Sequence, residues 1–193
     1  MSLLYVFCND SQGVMVGDHR RYKVRGENFN PDEVTEFFDD SKKVFRVSDE
    51  LIIGVAGYEI KMLNDLIQHI VIKKYTYESA VNSIKGLIEQ NRDNLKKYKT
   101  IVLMLGVVEG KTFLYSLRTD IVFEDKYLSP EGYIGTCAAY DPQRWIDEQF
   151  EDNDYSIDRL KRIGVDLVKH VSERDKFVSP GFDMEVVSID GRS

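Results

Sequence analysis

Three pairs of apolar runs in this chain are each joined by only a few turn-forming residues, and that spacing restricts the fold more than any other feature. Residues 2–8 lead through Asn9-Asp10-Ser11-Gln12-Gly13 into residues 14–17. Residues 43–48 and 51–56 flank Ser48-Asp49-Glu50, and residues 101–108 turn at Glu109-Gly110 into 112–117. Connections this tight suit antiparallel strands, because parallel neighbours need a crossover of about a dozen residues or more. Between the runs the apolar period lengthens. Ile60, Leu63, Ile67 and Ile70 share one helical face, as do Val81, Ile84, Ile88 and Leu95. A second helix pair is predicted over about 138–150 and over 157–174, the latter with Ile157, Leu160, Gly164, Leu167, Val168 and Val171 on its apolar stripe. Shorter strands are expected at 121–124, 133–136 and 184–189. The order strands, helix pair, strands, helix pair, strand predicts an α+β fold in four layers, αββα, with two antiparallel sheets between two helix layers. No linker or repeat divides it, so residues 1–193 read as one domain.

Two further segments carry local signals. His19-Arg20-Arg21-Tyr22-Lys23-Val24-Arg25 alternates like a strand with a solvated basic face. Asn30-Pro31-Asp32-Glu33 offers an N-cap, a proline for the first helical position and acids for the first turn, which predicts a short helix running to Phe38.

Composition bears on function mainly by exclusion. The formal charge of −7, from 33 acidic and 26 basic residues, argues against a nucleic-acid or anionic-membrane surface. With 2 Cys and 3 His, all far apart, no zinc-type ligand set can be assembled from neighbouring positions, and no cofactor motif is present. Cys8 and Cys137 could pair, though two thiols in a reducing compartment is the simpler reading. No signal peptide precedes the first strand, and no apolar run approaches the ~18 residues of a membrane span. The expected location is the cytoplasm.

One source of reactivity escapes a side-chain tally. Ser2 follows Met1, and removal of the methionine leaves a hydroxyl and an α-amine on one residue. An α-amine has a pKa of about 7.7–8.0, so it can act as a base near neutral pH, and a nearby cation such as Lys43 lowers that value further.

Gly13-Val14-Met15-Val16-Gly17-Asp18-His19-Arg20, Lys42-Lys43-Val44-Phe45-Arg46-Val47-Ser48-Asp49 and Ile53-Gly54-Val55-Ala56-Gly57 resemble blocks of the proteasome β-type subunits and related bacterial ring peptidases, which are N-terminal-nucleophile hydrolases. The intervals from Ser2 to Asp18 and from Lys43 to Gly57 match that family's spacings. Tyr133-Ile134-Gly135-Thr136 and Arg174-Asp175 with Ser179-Pro180-Gly181 look like its later blocks, so the resemblance extends along nearly the whole chain.

The resemblance implies a role for each matched residue. Ser2 would be the nucleophile and its amine the base, Lys43 would depress the amine's pKa, and Asp18 would hold Lys43. The N–H of Gly57 would bind the oxyanion, while Asp175, Ser179 and Thr136 would orient the amine. Arg21, Ser41, Val55, Glu59 and Leu63 would line the pocket for the substrate side chain preceding the cut, with Glu59 favouring a basic or polar group. The implied activity is hydrolysis of peptide bonds in peptides or unfolded proteins. The implied assembly is a homo-oligomeric ring served by an ATP-dependent unfoldase, with neither nucleic acid nor membrane as partner. A non-catalytic scaffold or binding subunit that keeps Met1, and a small-molecule amidohydrolase, are the alternatives. Relative to the family, the nucleophile is Ser rather than Thr, residues 26–40 are inserted between Asp18 and Lys43, Cys137 replaces a glycine, and the Asp175-to-Ser179 interval is longer by one residue.

Overall fold

The computed structural model describes residues 3–24, 31–120, 132–137, 139–152 and 154–190. Met1, Ser2, Ala138 and the strand expected at 121–124 lie outside the described residues. In chain order the strands and helices are β1 Leu4–Cys8, β2 Gln12–Asp18, β3 Arg21–Val24, a 3-10 turn Pro31–Glu33, β4 Val34–Phe38, β5 Val44–Ser48 and β6 Leu51–Gly57. There follow α1 Lys61–Lys73, α2 Tyr77–Gln90, α3 Arg92–Leu95, β7 Thr100–Val108, β8 Lys111–Arg118 and β9 Gly132–Thr136. α4 Gln143–Gln149, α5 Ile157–Ser172 and β10 Phe182–Ser188 complete the order.

Two antiparallel four-stranded sheets form, ordered β10-β2-β1-β9 and β5-β6-β7-β8. Strand β1 lies inside its sheet, with Leu4 opposite Gly17 of β2 on one side and Thr136 of β9 on the other. Its period-two alternation divides its side chains between two interfaces. Leu3, Tyr5 and Phe7 pack with Leu160, Ile163, Leu167 and Val171 of α5, whereas Leu4, Val6 and Cys8 meet Ile52, Leu103 and Leu105 of the second sheet. On the far side, Ile53, Val102, Met104 and Tyr115 pack beneath Leu63, Ile67 and Ile70 of α1 and Ala80 and Ile84 of α2. The layers are therefore αββα. Every residue of β1 is buried, and each large apolar side chain so enclosed contributes about 1.5–3 kcal/mol.

The helix expected up to Phe38 does not form. Pro31–Glu33 makes one 3-10 turn, and Val34–Phe38 then pairs antiparallel with β3, Arg21 opposite Phe38 and Tyr22 opposite Phe37. The β-branched and aromatic residues Val34, Thr35, Phe37 and Phe38 favour extended backbone, and cross-strand partners on β3 outweigh the proline and acids at the segment's start. The basic stretch forms the expected strand with Arg21 and Lys23 exposed, and it is one half of a two-stranded arm. Arg20 and Arg21 pair with Asp39 and Asp40 at 2.7 and 2.6 Å. Tyr22 and Phe37 rest on Phe177, with ring centroids 5.5 and 5.8 Å away. The helix expected from about residue 138 begins only at Gln143, after Pro142. Among the described residues no helix is long and apolar enough to cross a membrane.

Candidate functional site

Asp18 ends β2 and is fully buried. A carboxylate in that position needs donors, and four converge on it. Oδ1 accepts from the Leu3 N–H at 2.9 Å and from Lys43 Nζ at 2.5 Å. Oδ2 accepts from the N–H groups of Arg20 at 2.9 Å and Ser179 at 3.1 Å. Lys43, just before β5, also donates to the Arg20 carbonyl at 2.6 Å. Burial pushes the Lys43 ammonium below the usual lysine range, with Asp18 pulling the other way. In isolation Asp18 could have formed a turn or an ion pair with Arg20. Instead Arg20's guanidinium grips Asp39 and the Lys176 carbonyl, leaving Asp18 to Lys43.

Ser179 is buried beside this pair. Its N–H donates to Asp18, and its Oγ accepts from the His19 N–H at 3.2 Å while donating to the Gly181 carbonyl at 2.8 Å. Asp175 has a different set of contacts. Its Oδ2 accepts from the N–H groups of Ala139 at 2.8 Å and Tyr140 at 3.0 Å, and its Oδ1 from Phe177 N–H at 2.9 Å. A carboxylate following a helix C-terminus opposes the helix dipole, and these three donors offset that cost. Asp175 thereby fixes the loop that follows Thr136 of β9, and Thr136 itself faces Leu4 across the ladder.

Gly57 ends β6 at φ +120°, where a side chain would be strained, and a Cβ there would fall 2.1 Å from the Lys99 carbonyl oxygen. Its ladder partner Thr100 directs its own groups elsewhere, N–H to Thr119 Oγ1 and Tyr98 O, and C=O to the Thr119 N–H. Gly57 is thus in a non-hydrogen-bonded pair with β7. Two residues earlier, the Val55 N–H points toward the β5 side and meets the Lys43 carbonyl. By the period-two rule the Gly57 N–H points the same way, past the start of β5.

That direction leads into a cavity of about 680 Å³ lined by Arg21, Asp40, Ser41, Lys43, Val55, Gly57 and Glu59, among others. Four of the five residues expected in a substrate pocket, Arg21, Ser41, Val55 and Glu59, are there. Leu63 is not. It is buried on the inner face of α1 in the outer core, and Asn64 beside it and Gln68 one turn further on line the cavity instead. Leu63 sits on the helix's apolar stripe, so the period that identified the helix also assigns this residue to the core. Asn64 and Gln68 were not singled out in the sequence, where a polar helical residue carries no mark of what it faces. Ser2 lies outside the described residues. Among the described residues no group of three or more His, Cys, Asp or Glu is placed to hold a metal ion.

No family model matches this chain, and no curated protein matches it. Solved structures do. The crystal structure of eukaryotic HslV from Trypanosoma brucei matches with a TM-score of 0.64 at 15% identity, covering 96% of this chain and 99% of that one. At that identity the two share a fold, and the αββα layering extends over both chains almost completely.

Proposed function

We propose that this protein is a peptidase that cleaves peptide bonds with Ser2 after loss of Met1. The reading is supported most by the Leu3 N–H, because the nitrogen to which Ser2 is peptide-bonded is held by the same Asp18 oxygen that receives Lys43. In this mechanism Ser2 Oγ attacks the substrate carbonyl while the free α-amine takes the hydroxyl proton. The buried positive charge of Lys43 keeps that amine neutral, and Asp18 fixes Lys43. The Gly57 N–H donates to the oxyanion, and water then releases the acyl group. Ser179 supports the Asp18 side of the site. Asp175 and Thr136 set the loop and strand end opposite β1. Arg21, Ser41, Val55 and Glu59 contact the substrate side chain before the cut. A homo-oligomeric ring that encloses the site, supplied with unfolded protein by an ATP-driven unfoldase, belongs to the same proposal.

Intact mass of the natively expressed protein, with and without an electrophilic probe for terminal nucleophiles, tests the reading. Loss of Met1 and one adduct are expected, and Ser2→Ala should abolish both the adduct and hydrolysis of fluorogenic peptides. Retention of Met1 with no adduct would refute it. Native mass spectrometry tests the ring separately, and a strictly monomeric species at all concentrations would refute that part.

A further inference from the structure

His19 connects three parts of the site through its main chain. Its N–H donates to Ser179 Oγ at 3.2 Å and to the Gly181 carbonyl at 3.0 Å, and its carbonyl accepts from the N–H of Ser41, a residue of the cavity wall. The imidazole packs closely against Gly181. A Cβ at Gly181 would stand 3.2 Å from His19 Nδ1, so the ring lies directly over that residue. On its other side Nε2 is 3.2 Å from Asp183 Oδ2, at the start of β10. This carboxylate oxygen is buried and makes no well-formed hydrogen bond among the described residues. Orphaned oxygens of this kind cost about 1–3 kcal/mol, so a proton on Nε2 directed at Asp183 is favoured.

We propose that His19 is a positioning residue: its ring, paired with Asp183 across Gly181, holds the 179–181 turn against the end of β2 and makes the geometry around Asp18 depend on the ring's charge. Histidine is the side chain whose charge ordinarily changes between about pH 5 and 8. With 31% of the side chain exposed, the proton can exchange with solvent. The charged groups around it are Asp183 from β10, Asp39 from the segment after β4, and Asp18 and Arg20 on its own segment. Protonation strengthens the pairing with Asp183, and deprotonation removes the charge that draws the ring to that carboxylate. The change is transmitted through the Ser179 N–H to Asp18, and through the Ser41 N–H to the cavity. The effect on rate rests on the hydrolytic reading above, while the effect on the turn does not.

The test compares His19→Gln, which retains an N–H donor without a titrating charge, with His19→Ala and Asp183→Asn. Backbone amide NMR of the full chain between about pH 5 and 8 should show the Ser179 and Gly181 signals titrating together with the His19 ring in the wild type. In His19→Gln the two amides should stay near their high-pH positions without titrating, because the amide is as uncharged as the neutral ring, and in His19→Ala both should be displaced at every pH. Asp183→Asn should displace both amides at low pH, where the ion pair is lost. If peptide hydrolysis is measurable, His19→Ala should lower kcat severalfold with KM little changed, and His19→Gln should restore kcat while removing one limb of the pH profile. Amides at 179 and 181 that titrate unchanged in His19→Gln, or that do not titrate in the wild type, would overturn the proposal. Absence of hydrolysis in every variant, with the amide titration intact, would count against the peptidase reading alone.

Discussion

Replacing Asp18 with Asn removes one charge from the centre of the site while keeping its shape. Among the described residues Lys43 Nζ then keeps the Arg20 carbonyl and a neutral amide oxygen as acceptors, with no opposite charge beside it. Remaining charged and unpaired costs about 3–5 kcal/mol, the usual penalty for breaking a buried ion pair. The alternative is to lose the proton, which from a reference near 10.4 costs about 4.6 kcal/mol at about pH 7 and about 1.9 kcal/mol at about pH 9. A carboxamide also turns one acceptor into a donor facing N–H groups, adding about 1 kcal/mol or more at any pH. The expected destabilisation is therefore about 4–6 kcal/mol at about pH 7, narrowing toward about 3 kcal/mol at about pH 9. The sign follows from proton counts. In the variant the folded-state lysine pKa is depressed further below its unfolded value, so within that window the unfolded chain binds more protons and stability rises with pH. In the wild type Asp18 opposes the depression, and the slope is smaller. Urea unfolding at both pH values measures the gap. Lys43→Met is the companion variant, expected to cost less because Asp18 retains three N–H donors. A gap below about 1 kcal/mol, or one that does not change with pH, would refute the buried pairing.

Gly57→Ala should cost about 2–5 kcal/mol in the same assay, combining a strained backbone with a Cβ driven into the Lys99 carbonyl, and a near-neutral effect would refute the close approach there. Trp145 is the sole tryptophan, and its ring is stacked on His170 at 4.8 Å. Burial, with help from Arg174, holds the His170 pKa below its usual value. Stability from this neutral ring is present above about pH 6.5 and lost as the pH falls through the lower folded-state value, so tryptophan emission should be quenched with a midpoint below about 6.5. The quench should vanish in His170→Gln, and a midpoint above the usual histidine value would contradict the burial.

The readability of this molecule follows the range of the forces involved. Amphipathic α1, α2 and α5 and the turn at Asn9, whose Oδ1 accepts from the N–H groups of Ser11 and Gln12, are encoded by residues a few positions apart, and these elements were legible. Asp18 and Lys43 were legible through spacing that matches a known family. The β4 strand was not, because its extended form depends on Tyr22 and Phe177, which are distant in sequence. Asp175 matches a family position, but its partners are backbone N–H groups at 139, 140 and 177, which no side-chain pattern records. Leu63 matches a pocket position of the family, whereas its own helical period puts it in the core, where it lies.

The position of β1 has a consequence for the order in which the molecule is made. Strand β1 is completed on one edge by β9 and is backed by α5, both more than a hundred residues further along the chain. Asp18, in the neighbouring strand, waits longer still for the N–H of Ser179. Until residues 157–179 are in place, Asp18 has neither its full set of donors nor a closed layer above it. Chains that stop short of residue 179 leave the buried Asp18 carboxylate one donor short, so the centre of the molecule is completed from a segment far along the sequence.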